Sequence, residues 1–284
     1  MKKLIKGNRF TPRNYSDEVE ARIQQLKKDG VKLPDRHLLR TEEQLEGIRA
    51  SAAINTALLD YIAENIREGM STAEIDHLVY AFTTDHDAIP APFGFEGFPK
   101  SVCTSINDVV CHGIPSTKEF LRNGDIINVD VSTIYKGYFS DASRMFLIGE
   151  VSPDMRRLVE VTRECRDIGV RMAQPWTHLG DIGAAIQEHA EGNGYSVVRD
   201  LCGHGCGVKF HEEPDVEHFG KRGRGMMIVP GMTFTIEPMI NMGTHHVFID
   251  ADDGWTVCTE DGLPSAQWES QILITETGNE VLTE

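Results

Sequence analysis

Two aspartates near one turn are the first residues in this sequence whose spacing points to chemistry. Gly124-Asp125-Ile126-Ile127-Asn128-Val129-Asp130 opens an arm rich in β-branched residues, Lys136-Gly137 is a two-residue turn signal, and Phe139-Ser140-Asp141 returns. With a loop of that length Asp130 and Asp141 lie opposite each other or one diagonal step apart, so both carboxylates leave the same face of the sheet. Like charges at that range repel by several kcal/mol unless a cation or a shared proton lies between them.

Further along, Cys202-Gly203-His204-Gly205-Cys206-Gly207 isolates one imidazole among three glycines. Glycine weakens a strand, so a ligand or a second backbone is expected to come close there. Glu237 ends Pro230-Gly231-Met232-Thr233-Phe234-Thr235-Ile236-Glu237, and Glu269 follows Ser265-Ala266-Gln267-Trp268. Together Asp130, Asp141, His204, Glu237 and Glu269 fit a site for two divalent ions of the Mn, Fe, Co or Zn group, since the donors are hard oxygens and one imidazole with no thiolate. Two such ions stand about 3.5–4 Å apart, and water held between them becomes a nucleophile near neutral pH. No serine or cysteine is then required. His112 and His211 remain as histidines able to donate hydrogen bonds or move protons.

The elements that must carry these groups come in two similar sets. Thr41-Glu42-Glu43-Gln44 and Ser71-Thr72-Ala73-Glu74 are capping-box patterns, each opening a helix with an apolar stripe; Gly69 is expected to end the first helix. Pro153 opens a third helix, and Thr177-His178-Leu179-Gly180-Asp181 a fourth. Gly124 precedes Asp130 by the same six residues that separate Gly231 from Glu237. The chain therefore reads as a diverged tandem copy, about 41–150 and 151–284, each copy supplying an acid from an equivalent strand. The two halves are expected to share one curved antiparallel sheet about a pseudo-two-fold axis, covered by helices, an α/β (α+β) architecture. A Pro-, Gly- and Phe-rich loop over 89–99 is expected to line a site.

Composition narrows the setting. A net charge of −16 argues against wholesale binding to DNA or an anionic membrane, and no run approaches the roughly 20 apolar residues of a membrane span. Charge is uneven, however. Residues 1–40 hold eleven Lys and Arg against five Asp and Glu, and the rest 17 against 39. A basic N-terminal extension thus precedes a domain over 41–284. Within it Val19, Ile23 and Leu26 predict a short amphipathic helix after Ser16-Asp17. Six cysteines without a Cys-x-x-Cys pair, and no signal-peptide pattern, fit a reducing cytoplasm.

The motifs also carry a resemblance. Ser101-Val102-Cys103 to Asn107, Cys111-His112-Gly113-Ile114-Pro115, Asn128-Val129-Asp130-Val131, Gly203-His204-Gly205-Cys206-Gly207, Phe210-His211-Glu212-Glu213-Pro214, Thr235-Ile236-Glu237-Pro238 and Ser265-Ala266-Gln267-Trp268-Glu269 together resemble type I methionine aminopeptidase. The resemblance implies the pita-bread fold and removal of the initiator methionine from nascent chains with a small second residue. It assigns Asp130, Asp141 and Glu269 to one metal and Asp141, His204, Glu237 and Glu269 to the other. It also makes His112, His211 and Glu237 catalytic and puts Phe95, Phe98, Cys103, Phe210 and Trp255, beside the two histidines, around the methionine side chain. Carbonyls of Asn107, Val109 and Ser265 would match a monovalent-cation site. A proline-directed peptidase of the same fold would share the five ligands but generally carries a much larger N-terminal domain. A monomer is expected, with the basic arm either solvated or docked on the ribosome.

Overall fold

The computed structural model describes residues 15–284. Ser16 accepts the Val19 N–H and caps α1 (Asp17–Lys28), the helix expected at that point, with Val19 buried and Ile23 and Leu26 packed on the core. Lys2, Lys3, Lys6, Arg9 and Arg13, which supply most of the arm's positive surplus, lie outside the described residues.

Both predicted capping boxes form. Thr41 opens α2 (Glu42–Asn65) and Ser71 opens α3 (Thr72–Asp85). α2 stops short of Gly69, because the chain turns at Ile66 and Gly69 instead donates its N–H to the Leu121 carbonyl at 2.8 Å. The strands of this half are β1 (Ile89–Pro90), β2 (Cys103–Ile106), β3 (Val109–Cys111), β4 (Ile126–Tyr135) and β5 (Tyr138–Leu147). Tyr135 pairs with Tyr138 across Lys136 and Gly137, whose φ angles of 50° and 87° are those a type I′ hairpin needs. Gly137 takes that geometry without cost.

The second half repeats the order with α4 (Pro153–Met172), α5 (Leu179–Gly192), β6 (Ser196–Val197), β7 (Gly203–Gly205), β8 (Glu212–Val216) and β9 (Thr233–Ile236). Short strands follow: β10 (Met239–Asn241), β11 (Val247–Ile249), β12 (Val257–Thr259), β13 (Ser265–Gln267), β14 (Ser270–Ile274) and β15 (Asn279–Val281). The duplication is metric. An isolated bridge joins Ser71 to Phe120 and another joins His178 to Met227, each partner lying 107 positions from its counterpart. The same 107 positions separate Gly124 from Gly231 and Asp130 from Glu237.

All strand pairs are antiparallel. β4 pairs with β5 on one side and with β1 and β2 on the other, while the second half gives the order β15-β14-β9-β7-β8. These sheets meet at β5 and β14 without a continuous backbone ladder. β14 spends both edges on β9 and β15, so the join falls to isolated backbone bonds, Glu269 N–H to the Ser143 carbonyl at 3.1 Å and Phe139 N–H to that of Gly207 at 2.8 Å, and to side chains: Asp141 N–H donates to Gln271 Oε1 at 3.3 Å, and Thr283 Oγ1 to the Asp141 carbonyl at 2.7 Å. One apolar core lies beneath α2 and α3, built on Leu58, Leu59, Ile62, Ile75 and Val79 against Ile127, Val129 and Val131. The other lies beneath α4 and α5, with Leu158, Ile182 and Ile186 against Phe234 and Ile236. Each such side chain contributes about 1.5–3 kcal/mol by leaving water. That burial holds the strands whose other faces bear the acids. Among the described residues no helix is long and apolar enough to cross a membrane, and all six cysteines are unpaired.

Candidate metal centre and substrate cavity

Strand register sets the first two acids. Asp130 pairs with Ser143 and Asp141 with Ser132, so the aspartates are diagonal neighbours on one face, one of the two arrangements that the turn length allows. Glu237 follows the last residue of β9, and Glu269 stands between β13 and β14. His204 is the middle residue of β7. Its flanking glycines are needed for backbone approach: a Cβ on Gly205 would lie 2.1 Å from the Glu213 carbonyl oxygen, and one on Gly203 2.8 Å from that of Thr235.

The five predicted ligands converge. Asp130, Asp141 and Glu269 bring one oxygen each within 4.8 Å of one another, as do the donors of His204, Glu237 and Glu269 and those of Asp141, His204 and His211. His204 Nδ1 lies 3.0 Å from the Gly205 carbonyl, a hydrogen bond that leaves Nε2 with its lone pair. That Nε2 is 3.6 Å from Asp141 Oδ2 and 3.6 Å from Glu237 Oε1. Such gaps are too long for hydrogen bonds, yet two bonds of about 2.1 Å to a shared cation span them. Asp130 Oδ1 is enclosed and has no hydrogen-bond partner, an orphan that a cation would satisfy. The donors therefore fit divalent ions.

Electrostatics point the same way. Burial pushes the Asp130 carboxyl up to about 7 and that of Glu237 up to about 8. Asp141 and Glu269 rise well above the carboxylate range, through burial first and then through the neighbouring acids. Burial likewise lowers His204 to about 3, which keeps the ring neutral. Four acids enclosed together resist ionisation for want of positive charge, and divalent cations supply it.

Beside these groups opens a cavity of about 640 Å³, which the irregular loop over 89–99 helps to line. Phe95, Phe98, Cys103, Phe210 and Trp255 all face it, with His112 and His211. Phe98 meets Trp255 edge to face at 5.3 Å and Phe95 meets Phe210 at 5.0 Å, so the walls brace one another. His211, exposed at the mouth, packs 4.2 Å from the His204 ring and 4.1 Å from that of Phe210, and desolvation makes it less basic. His112 has φ 57°, a strained conformation for such a residue and one typical of functional positions. Of the three residues read as a monovalent-cation site, Asn107 and Ser265 meet directly, Ser265 N–H donating to the Asn107 carbonyl at 2.8 Å, and Val109 begins β3 two residues beyond Asn107.

Several residues that orient the ligands were given no role by the sequence. Ser132 Oγ donates to Asp141 Oδ1 at 2.7 Å, Thr235 Oγ1 to Glu237 Oε1 at 2.6 Å, and Gln267 Nε2 to Glu237 Oε2 at 3.2 Å. Thr235 and Gln267 stand inside the motifs that carry Glu237 and Glu269, whereas Ser132 has only period two to mark it: each stands two residues from Asp130, Glu237 or Glu269.

Comparison with known proteins agrees with this geometry. Residues 46–276 match the model of metallopeptidase family M24. Methionine aminopeptidase A of Synechocystis sp. is 50% identical over 245 residues, which cover 86% of this chain and 96% of that protein. The crystal structure of methionine aminopeptidase from Rickettsia prowazekii aligns with a TM-score of 0.85 at 44% identity, covering 87% of this chain and 99% of the other. That from Thermotoga maritima aligns with a TM-score of 0.85 at 35% identity, covering 87% and 98%. Matches of this length and identity show that the chain belongs to metallopeptidase family M24 and, within it, to the type I methionine aminopeptidases.

Proposed function

We propose that this enzyme removes N-terminal methionine from nascent polypeptides with a small second residue, using two divalent cations held by Asp130, Asp141, His204, Glu237 and Glu269. The observation that carries the reading is the overlap of the donor groups: Glu269 belongs both to the group with Asp130 and Asp141 and to the group with His204 and Glu237, and Asp141 also lies within the same distance of His204, as two cations sharing carboxylates require. When bound, such cations, from the Mn, Fe, Co or Zn group, supply Lewis acidity and an acidified water.

The chain's own residues do the rest. Phe95, Phe98, Cys103, Phe210 and Trp255 enclose the methionine side chain, and a thioether gains from contact with rigid rings. His211 donates a hydrogen bond to the scissile carbonyl oxygen, where charge develops, and His112 donates near the scissile amide. Glu237 takes a proton from the attacking water and returns it to the leaving amine. The Asn107, Val109 and Ser265 carbonyls are the proposed monovalent-cation ligands; a carbonyl has two lone pairs, so Asn107 can serve while bonded to Ser265.

Turnover of Met-Ala, Met-Gly and Met-Lys peptides tests the substrate reading. The first two are expected to be cleaved and the third to be poor; equal rates on all three would contradict it. Residues 41–284 form the proposed catalytic domain and residues 1–40 the extension, in a monomeric cytoplasmic enzyme. Five cations without an acid in residues 1–14 suit either a solvated arm or a contact with ribosomal RNA. Deleting them should abolish salt-sensitive ribosome co-sedimentation, and unaltered co-sedimentation would exclude that contact.

A further inference from the structure

Residues 15–40 are fastened along the segment that leads into β9. Tyr15 Oη donates to the Pro230 carbonyl at 2.7 Å, Met227 N–H to the Lys32 carbonyl at 2.9 Å, and Arg40 N–H to the Gly231 carbonyl at 2.9 Å. Among the described residues the matching segment of the first half has no such cover. Phe120, 107 positions before Met227, is 49% exposed, whereas Met227 is 7% exposed.

Arg40, at the end of this strap, is wholly buried. Its Nε donates to Thr233 Oγ1 at 2.8 Å, Nη2 to Glu212 Oε1 at 2.5 Å and Nη1 to Glu212 Oε2 at 3.4 Å, a forked contact to an almost buried carboxylate. Glu212 Oε1 also accepts the N–H groups of Val208 at 3.3 Å and Lys209 at 3.4 Å. One carboxylate thus closes the turn over 208–212, and that turn presents Phe210 and His211 to the cavity. Thr233, a second side-chain partner of Arg40, donates to the Cys206 carbonyl at 2.6 Å at the base of the same turn. Without the guanidinium, Glu212 would be a buried charge with no other ion pair among the described residues.

We propose that Arg40 is a positioning residue: through Glu212 it fixes the turn that carries the pocket wall Phe210 and the carbonyl donor His211. The inference rests on the roles given to those two residues above. A segment outside the catalytic domain then sets the shape of the substrate side.

The test uses full-length, metal-loaded enzyme on a Met-Ala peptide, well below its unfolding temperature. Arg40→Met is expected to raise KM and lower kcat together, with kcat/KM falling on the order of 10²-fold, the usual effect of an ångström-scale misplacement. Arg40→Lys should fall between it and the parent. Arg40→Met combined with Glu212→Gln removes both charges and keeps an oxygen for Val208 and Lys209, and should recover about tenfold of the loss. Arg49→Ala, which removes an exposed pair with Glu280, should leave both constants unchanged. If Arg40→Met does not fold, the double variant is compared with Glu212→Gln alone, which should be the worse of the two. Unchanged constants, a loss of active enzyme at unchanged KM, or a double variant no better than either single one would overturn the proposal. His211→Ala, assayed alongside, separates the two readings. Full activity there sinks the role of His211, whereas a defect there with intact Arg40 variants sinks only the strap.

Discussion

β4 and β9 occupy equivalent places in the two halves, yet they hold their acids differently. Asp130 Oδ1 has no hydrogen-bond partner, and Asn128, two residues before it, turns away to Ser143 Oγ and the Gln267 carbonyl. Glu237 is held on both oxygens by Thr235 and Gln267, and its N–H donates to His218 Nε2 at 3.1 Å. Duplication therefore reproduced the backbone and left the polar neighbours to diverge. An acid whose rotamer is already fixed loses less freedom when a cation arrives, so the Glu237 and His204 side should bind its ion more tightly than the Asp130 side.

Removing a ligand from either side tests that asymmetry most severely. His204→Ala and Asp130→Ala should each lower kcat/KM on the order of 10³-fold or more, the several kcal/mol that metal assistance supplies. Metal content should distinguish them. Asp130→Ala is expected to retain one tight equivalent by elemental analysis and His204→Ala none, and equal retention would erase the distinction. Thr235→Val is a milder probe, because it removes only the hydroxyl that holds Glu237. It should weaken the tighter binding step about 10–100-fold in a metal titration. An unaltered tight step would mean that Glu237 needs no help from its strand.

Protonation gives a third measure. In metal-free protein Asp130 and Glu237, raised by burial to about 7 and about 8, stand above their unfolded values of about 4. Between those limits the folded state binds more protons than the unfolded one, so stability falls as pH rises across the window. A divalent cation holds the carboxylates ionised and releases those protons. Manganese should therefore raise the melting temperature more at about pH 8 than at about pH 5.5. Equal shifts would show that the acids are already ionised without metal.

What was legible in the sequence was what short-range chemistry decides. The Lys136-Gly137 turn narrowed the relation of Asp130 to Asp141 to two arrangements on one face, and Thr41, Ser71 and Ser16 marked helix starts through their own side chains. Spacing within each copy even foretold that Glu237 answers Asp130. Hidden from view were the contacts made across the chain. Gln267 reaches Glu237 from another strand, and Arg40 meets Glu212 over 172 positions, neither with a local pattern to announce it. The break between β5 and β14 was hidden for the same reason, since it depends on β14 having partners on both edges.

The smallest contrast lies at the two helix starts. Ser71 and Glu74 form a reciprocal box, with Glu74 N–H donating to Ser71 Oγ at 3.3 Å and Ser71 N–H to Glu74 Oε2 at 2.7 Å. In the second half His178 N–H donates to Asp181 Oδ2 at 2.8 Å, so the acid's side of the box persists while the hydroxyl is gone. Ser71→Ala should cost about 1 kcal/mol, read as a lower denaturant midpoint at unchanged slope. His178→Ser restores the missing acceptor and should gain a fraction of that, unless the imidazole's packing outweighs one hydrogen bond. A loss at position 178 as large as that at Ser71 would mean that the second helix relies on its neighbours, Met227 above all, and not on its cap.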